Sequence, residues 1–150
     1  PNYVLIQRLG LYDTLLAVML PWLTTPFAIY LYRQTFLGVA PSLFEAAEID
    51  GASESRMLWQ IAFPLARAST ITIFVIQFVW SWNALLWPLL VTASTHTRVI
   101  QVGLLSFSTE GGVQIGLLMA AATASVIPIA LVFLLTQRFI IRGIAQGAVK

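Results

Sequence analysis

Four of the six acidic residues in this 150-residue chain lie within one short stretch, and they are the side chains best suited to chemistry: Glu45, Glu48, Asp50 and Glu54. Glu45 and Glu48 are three residues apart, so on a helix their carboxylates share a face and can bind basic groups of a partner. Two carboxylates can also act as general acid and base, but no nucleophile or base accompanies this pair. The spacing therefore indicates a binding surface or a solvated helix face, and we predict no catalytic residue.

The remaining composition excludes several kinds of site. The chain has no Cys and a single His, His96, so thiolate and multi-histidine metal sites are excluded. Its one Lys is Lys150, which rules out the GxxxxGK[ST] loop that binds nucleotide phosphates. Its basic residues are dispersed and form no nucleic-acid patch. We therefore expect no metal or cofactor on this chain, and any ATP and Mg that its work requires must be bound by another.

The elements that carry these residues are too apolar for a water-soluble domain. Hydrophobic residues make up 59% of the chain and charged residues 9%, whereas soluble domains have about 25% charged residues. Three uncharged runs, of 19, 30 and 27 residues, follow Asp13, Arg67 and Glu110. Because a membrane-crossing helix needs about 20 apolar residues, we predict an all-α, polytopic membrane helical bundle. Its three transmembrane helices are expected at about 14–33, 69–93 and 112–137.

The first of these runs contains two prolines, Pro21 and Pro26. Since proline has no backbone N–H and clashes with the preceding helical turn, we expect a kinked or broken helix here. Thr24 and Thr25 lie between the prolines, and we expect them to bond backbone groups that the break frees rather than to contact a substrate.

The basic residues predict the orientation of the chain. Six of the eight lie either between positions 33 and 67 or after the third run. Short loops rich in Lys and Arg stay on the cytoplasmic side of a membrane. We therefore predict that the 33–67 segment and the C-terminus are cytoplasmic and that the 94–112 loop is outside.

The segment between the first two runs has the pattern of two short helices joined by a sharp turn. Ser42 followed by Glu45 is typical of a capping box, in which each side chain bonds a backbone amide at the start of a helix. Gly51 can adopt the left-handed conformation that ends this helix. Ser53 is a suitable N-cap for the second helix, which we expect Pro64 to interrupt. The first helix is apolar enough to need cover, either lipid headgroups or a partner's groove.

Polar residues in the second run allow two interpretations. Gln77, Ser81 and Asn83 lie at predicted membrane depth, where polar groups face other helices or a water-filled path. They could line a solute route beside an aromatic wall, or they could form hydrogen bonds between helices. The neighbouring indoles are equally consistent with an interfacial belt near the outer leaflet; these are Trp80, Trp82 and Trp87.

Small residues recur at every fourth position of the third run: Gly112, Gly116, Ala120 and Ala124. In lipid, helices associate through close approach of their backbones, which small side chains allow. The stripe therefore predicts that this helix packs against another one, although it does not identify the partner.

The residues around Gly51 resemble the EAA motif of permease subunits in binding-protein-dependent ABC importers. The matching residues are Glu45-Ala46-Ala47, Ile49-Asp50-Gly51-Ala52, Ile61 and Pro64. Further along, the chain is similar to the second permease of carbohydrate importers of the maltose type, at Trp82-Asn83, Trp87-Pro88-Leu89, Gly103-Leu104, Gln137-Arg138 and Gly143 to Lys150. Because such permeases are nearly twice as long, the resemblance implies that residues 1–150 are the C-terminal half of a type I ABC importer transmembrane domain.

The resemblance also implies a function. In such permeases the EAA segment, here residues 42–64 and called the coupling segment below, forms coupling helices that insert into a cleft of a separate ATPase. By position this role falls to Glu45, Ala46, Ala47, Glu48, Asp50 and Gly51. The implied partners are a second permease subunit, two cytoplasmic ATPase subunits that hold ATP and Mg, an extracytoplasmic solute-binding protein and membrane lipid. The implied location is the bacterial cytoplasmic (inner) membrane, in which the chain makes several passes.

A sugar is the transported solute that the resemblance implies. The residues themselves leave a polyol, a glycerol phosphate or another small solute open, because nothing in the 77–88 stretch discriminates among them. A non-transporting membrane assembly subunit, which packs through its small residues alone, is the alternative from a different class of protein. That alternative predicts that no ATPase binds the coupling segment.

Overall fold

The computed structural model describes residues 1–109 and 115–147, and every regular element in those residues is helical. Gly112 of the small-residue stripe lies outside the described residues. The predicted all-α fold class is therefore confirmed.

Short connections join the helices along the chain. In order they are α1 (Asn2–Arg8), α2 (Leu15–Met19), a 3₁₀ turn (Leu20–Trp22), α3 (Pro26–Leu37), α4 (Pro41–Ile49), α5 (Glu54–Met57), a π-helical turn (Leu58–Ala62), α6 (Phe63–Leu65), α7 (Arg67–Trp82), α8 (Leu86–Val91), α9 (Ile100–Thr109) and α10 (Ile115–Gly147).

One described helix is long and apolar enough to cross a membrane by itself, the part of α10 from Ile115 to Arg138. Two pairs of shorter helices meet the same criteria if each bent pair is counted as one span: Leu15–Trp22 with Pro26–Leu37, and Glu54–Leu65 with Arg67–Trp82. Length and composition thus allow up to three spans in the described residues. The three transmembrane helices stay a prediction.

The break expected in the first run lies between Trp22 and Pro26. Thr25 is the N-cap of α3, and its hydroxyl oxygen accepts a hydrogen bond from the Ala28 amide at 3.3 Å. The side chain thereby satisfies one of the backbone donors that the start of a helix leaves open. Thr25 therefore has the structural role predicted for it, and Thr24 is exposed beside it.

The transmembrane helix predicted at 69–93 in the second run is two helices rather than one, because α7 ends at Trp82 and α8 begins at Leu86. At the end of α7, the backbone and side-chain amides of Asn83 both donate to the Val79 carbonyl, at 3.1 and 2.8 Å. Pro88 in α8 has no N–H, so a continuous helix would lose a backbone bond at this point. The interruption is thus a consequence of two local residues within an uncharged run.

The chain forms two compact units, and the first comprises residues 1–24 and the described part of 77–134. Its core contains Ile6, Ala17 and Val91, all buried, with Leu11, Val18 and Trp87 packed against them. The Trp87 indole N–H donates to the Ala17 carbonyl at 2.9 Å. A buried indole needs such an acceptor, so α2 and α8 are joined by a polar bond as well as by packing.

The second unit comprises residues 25–76 and the described part of 135–150. In it, hydroxyl groups join α3 to the start of α7: Tyr32 donates to Thr70 at 3.2 Å, and Thr35 donates to Ser69 at 2.7 Å. Hydrogen bonds between Ser, Thr and Tyr side chains are a common means of holding helices together where lipid surrounds them. This pairing positions the coupling segment, which lies in the chain between the two helices.

Candidate functional site

The turn between the two short helices of the coupling segment has the geometry of a Schellman motif. Gly51 has a positive φ of 73°, a conformation that glycine adopts without the steric cost of a Cβ. The Gly51 amide donates to the Glu48 carbonyl and the Ala52 amide donates to the Ala47 carbonyl, both at 2.9 Å. These two bonds satisfy the last carbonyls of α4. The prediction of a glycine turn at this position is confirmed.

The start of α4 differs from the predicted capping box. The helix begins at Pro41, its N-cap is Ala40, and no side chain caps it. Proline is well suited to the first helical position because its φ is already helical and it has no N–H to satisfy. Pro41 therefore sets the start of the helix, and Ser42 lies inside the first turn instead of at the cap. The prediction that Ser42 and Glu45 form a capping box is wrong.

The second helix of the coupling segment begins as predicted and ends later. Ser53 is the N-cap of α5, and its hydroxyl oxygen accepts from the Arg56 amide at 3.4 Å. Pro64 does not stop the helix, because the chain makes a π-helical turn over Leu58–Ala62 and continues through Phe63–Leu65. A π-helical turn shifts the backbone hydrogen-bond register, and here it precedes the residue that cannot donate. The interruption falls at Ala66 instead.

The predicted ATPase-coupling residues form an exposed surface around this turn. Glu45, Ala46, Glu48, Asp50 and Gly51 are exposed, and Ala47 is buried. Ile49, at the end of the same helix, is 87% exposed. Leaving so much of a large apolar side chain in water is unfavourable, so this end of α4 is a strong candidate for contact with another molecule.

A small cleft lies between the two helices of the coupling segment. Its volume is about 250 Å³, and Ala47, Asp50 and Arg56 are among the residues that line it. The Arg56 guanidinium donates a hydrogen bond from its Nε to the side-chain oxygen of Gln60, which also lines the cleft, at 2.9 Å. The cleft thus presents a carboxylate and a positioned guanidinium together, which is suited to a polar group of a partner.

The three residues proposed for a solute path do not converge. Ser81 lines a cavity of about 510 Å³ in the first unit, together with Trp22 and Trp82. Gln77 and Asn83 are not among the residues that line this cavity. Asn83 instead binds the Val79 carbonyl of its own helix. Ser81 thus lines this cavity beside two indole rings. A role of Gln77, Ser81 and Asn83 in solute passage stays a prediction.

Two of the indoles near these residues form hydrogen bonds between helices. Trp82 donates from Nε1 to the Ser125 carbonyl of α10 at 3.1 Å, and Trp87 donates to Ala17 as described above. Ser125 is buried and lies one turn before Pro128, at which α10 lacks a backbone donor. The bond therefore joins α7 to α10 where the helix is weakened.

The residues of the small-residue stripe that the structure describes are exposed. Gly116, Ala120 and Ala124 are exposed, and a Cβ added at Gly116 would meet no atom within 4 Å. Ala124 also lines a cavity of about 430 Å³ with Gly103 and Phe107 of α9. The packing of this face against another helix stays a prediction.

Asp13 is a structural residue that sequence reasoning missed. Its backbone has a positive φ of 58°, and its Oδ1 accepts hydrogen bonds from the amides of Ala93 and Ser94 at 2.8 and 3.0 Å. The Thr97 hydroxyl donates to the same oxygen. Asp13 thereby joins the start of the first run to the loop after α8. No local signal marks Asp13 in the sequence, because these partners lie about 80 residues away in the chain.

The hydrogen bonds to Asp13 also keep its carboxyl group charged. The Thr97 hydroxyl, followed by the backbone amides of Ala93 and Ser94, holds the pKa of Asp13 well below its ordinary value. Hydrogen bonds to a carboxylate stabilise its charged form. Asp13 is therefore ionised at every physiological pH.

Comparison with known proteins identifies relatives over the whole chain. The profile of a family described as binding-protein-dependent transport system inner membrane component matches residues 3–146. The arabinooligosaccharides transport system permease protein of Halalkalibacterium halodurans is 35% identical over 150 residues, which are 100% of this chain and 54% of that protein. The sn-glycerol-3-phosphate transport system permease protein of Yersinia pestis is 36% identical over 149 residues, or 98% of this chain and 53% of that protein.

A solved structure has the same fold. One chain of a bacterial ABC transporter, which is involved in the import of the acidic polysaccharide alginate, superposes with a TM-score of 0.82 and is 24% identical. The match covers 92% of this chain and 54% of that chain. The present chain thus spans about half the length of the relatives that it matches.

Proposed function

The chain belongs to the family of binding-protein-dependent transport system inner membrane components, and from that membership we propose that it is part of the permease of an ATP-driven importer. It contributes to the translocation pathway and carries out no chemical step of its own. A separate ATPase hydrolyses ATP, a second permease subunit completes the pathway, and an extracytoplasmic binding protein delivers the solute. In this proposal the coupling segment and the C-terminus face the cytoplasm.

The observation that carries the proposal is the hydrogen-bonded turn at Gly51 with an exposed apolar residue beside it. Ile49 is 87% exposed, and covering it by a partner would remove apolar surface from water. The exposed carboxylates of Glu45 and Glu48 on the same helix favour a basic rim on that partner. The side chain of Ala46 is small enough for close docking. These features support an ATPase cleft as the binding partner of α4.

The turn also supports a mechanical role. Two backbone hydrogen bonds fix the end of α4 to the chain that leads into α5, so a push on α4 moves the following helices instead of being absorbed by a flexible loop. From there the chain leads through α6 into α7. Closure of the ATPase would in this way tilt the membrane helices and alternate access to the pathway, as rigid elements transmit motion in other switching proteins.

For the solute, a sugar is the first candidate. Among the described residues that line it, the cavity beside Ser81 has two indole rings and no charged side chain, which suits an uncharged, hydroxyl-bearing molecule. A glycerol phosphate is the second candidate, because several relatives that this chain resembles are named for that solute. A phosphate group would need a cation elsewhere in the complete pathway.

The test is a pair of substitutions at Gly51 in the complete complex, reconstituted in vesicles. Gly51→Val places a β-branched side chain at a positive φ, at a cost of about 1–2 kcal/mol, and we expect it to break the turn. ATP hydrolysis should continue while solute uptake falls several-fold. Gly51→Asn is the matched control, since asparagine adopts the left-handed conformation more readily, and it should keep most of the uptake.

Copurification of the ATPase with each variant completes the experiment. Normal uptake by Gly51→Val, with the ATPase bound, would show that the turn does not transmit force. If neither the variant nor the natural sequence binds any ATPase, the non-transporting assembly subunit is the better explanation.

A further inference from the structure

The second half of the coupling segment lies nearly at right angles to the helix that follows it. Glu54–Leu65 and Arg67–Trp82 are bent by 74° with respect to each other. Transmembrane helices are tilted by about 20° on average from the membrane normal. If α7 crosses the membrane, as the proposed function requires, residues 54–65 lie close to the membrane plane at its cytoplasmic surface. The inference below rests on that part of the proposed function.

One face of this segment is apolar and open in the described part of the chain. Trp59 is 65% exposed, and the centroid of its ring lies 5.2 Å from that of Phe63. The Phe63 amide donates to the Leu58 carbonyl, as in a π-helical turn. The contact between their rings places Trp59 and Phe63 on the same face of the segment. Ala62, by contrast, is buried. The segment therefore packs through its alanines and leaves its large apolar side chains outside.

The charges of residues 42–67, which are the coupling segment and the start of α7, divide at Glu54. The first half contains Glu45, Glu48 and Asp50 and has no basic residue, whereas residues 55–67 contain Arg56 and Arg67 and no acidic residue. Arginines near a membrane surface are attracted to anionic headgroups, and acidic residues are not. Charge thus favours a basic protein for α4 and the lipid surface for the second half.

We propose that Leu58, Trp59, Phe63 and Leu65 form a membrane-interface anchor that lies among the lipid headgroups. Exposed Trp and Phe rings next to arginines, on a helix parallel to the membrane, are the features that bind interfacial helices to lipid. The ATPase then contacts the acidic first half and the cleft beside it, which Asp50 and Arg56 line. The anchor holds the second half at a fixed depth, so that a push on α4 is converted into a change of angle at Ala66.

The experiment uses nitroxide spin labels on single cysteines, which the absence of natural cysteines makes possible in this chain. The labels are attached to Leu58→Cys and Leu65→Cys in the complete complex, assembled with cysteine-free partners in vesicles of phosphatidylethanolamine and phosphatidylglycerol. Collisions with oxygen report lipid, and collisions with a water-soluble nickel chelate report water. Two exposed positions are references, Ser55→Cys for water and Phe74→Cys for the bilayer.

We expect the oxygen-to-nickel collision ratio at positions 58 and 65 to lie above that of position 55 and below that of position 74. A ratio equal to that of position 55 would overturn the anchor, and so would labels shielded from both reagents, which would indicate a covering protein. A water-like ratio at position 74 would overturn the membrane crossing of α7, and hence that part of the proposed function as well. A bilayer-like ratio there with water-like ratios at 58 and 65 removes the anchor alone.

Discussion

At the scale of single residues, the charge of Asp13 has a consequence for stability. The pKa of Asp13 is lower in the folded chain than its ordinary value, so the unfolded chain binds the proton more readily at this site. The contribution to stability is complete above the ordinary pKa of an aspartate, about 3.9. It is lost as the pH falls below that value toward the lower pKa of the folded state.

We expect Asp13→Asn to weaken the attachment of the loop after α8. The amide oxygen of asparagine is an uncharged and weaker acceptor than a carboxylate, and asparagine tolerates the positive φ at this position. Hydrogen exchange at the amides of Ala93 and Ser94 should therefore become faster at neutral pH. The difference between the two proteins should shrink below about pH 4, where the carboxyl begins to take up a proton whenever the loop opens and its hydrogen bonds are broken.

The control for this experiment is His96→Asn, a change of similar size in the same loop at an exposed position. It should leave exchange at both amides unchanged. Equal protection of these amides in Asp13→Asn and the natural sequence at neutral pH would show that the carboxylate does not hold the loop.

These residues also show which local features a sequence can predict. Gly51 was predictable because the requirement for a positive φ favours glycine directly. The cap at Ser42 was wrong because Pro41, one residue earlier, also favours a helix start and determined it. Asp13 could not be found in this way, because its partners lie about 80 residues away in the chain.

At the scale of helices, the ends are set by a few side chains rather than by the length of the apolar runs. The first run breaks where two prolines predict it, and Thr25 begins the next helix by accepting from the Ala28 amide. The second run breaks at Asn83, although its 30 uncharged residues suggested continuity. Hydropathy averages over many residues, so it locates an apolar run but not a break that depends on one side chain and one proline.

The contribution of the Thr25 cap to stability can be measured by comparing its alanine variant with that of the neighbouring Thr24. Replacing a threonine N-cap by alanine costs about 1 kcal/mol, so Thr25→Ala should lower the free energy of unfolding by that amount. Thr24→Ala removes the same atoms from an exposed position and should cost less. Unfolding titrations with SDS in mixed micelles provide the comparison, and equal losses in the two variants would contradict the cap.

At the scale of the whole molecule, hydrogen bonds within each unit pair the ends of the first two runs. In the first unit, Asp13 before the first run binds Ser94 near the end of the second. In the second unit, Thr35 after the first run binds Ser69 at the start of the second. Each unit thus joins one end of the first run to one end of the second.

Composition predicted the fold class because a chain with 9% charged residues cannot cover a water-exposed surface. The partner of the small-residue stripe could not be predicted in the same way. Gly116, Ala120 and Ala124 are exposed in the described residues, and small residues allow close packing without specifying the surface that covers them. A stripe of small residues can thus predict that one face of a helix packs against a partner without identifying the surface of that partner.

The orientation of the chain is the prediction that ties the coupling segment to ATP, which is a cytoplasmic nucleotide. Single cysteines at the exposed positions Ser55 and His96 place one reporter in the 33–67 segment and one in the 94–112 loop. In spheroplasts, a charged, membrane-impermeant maleimide should label His96→Cys at once and Ser55→Cys only after lysis, because Lys and Arg are retained on the cytoplasmic side. Phe74→Cys is the control for the intervening crossing and should resist the reagent in both preparations. Labelling of Ser55→Cys in intact spheroplasts would place the turn at Gly51 on the side without ATP, and a coupling role for it would then be impossible.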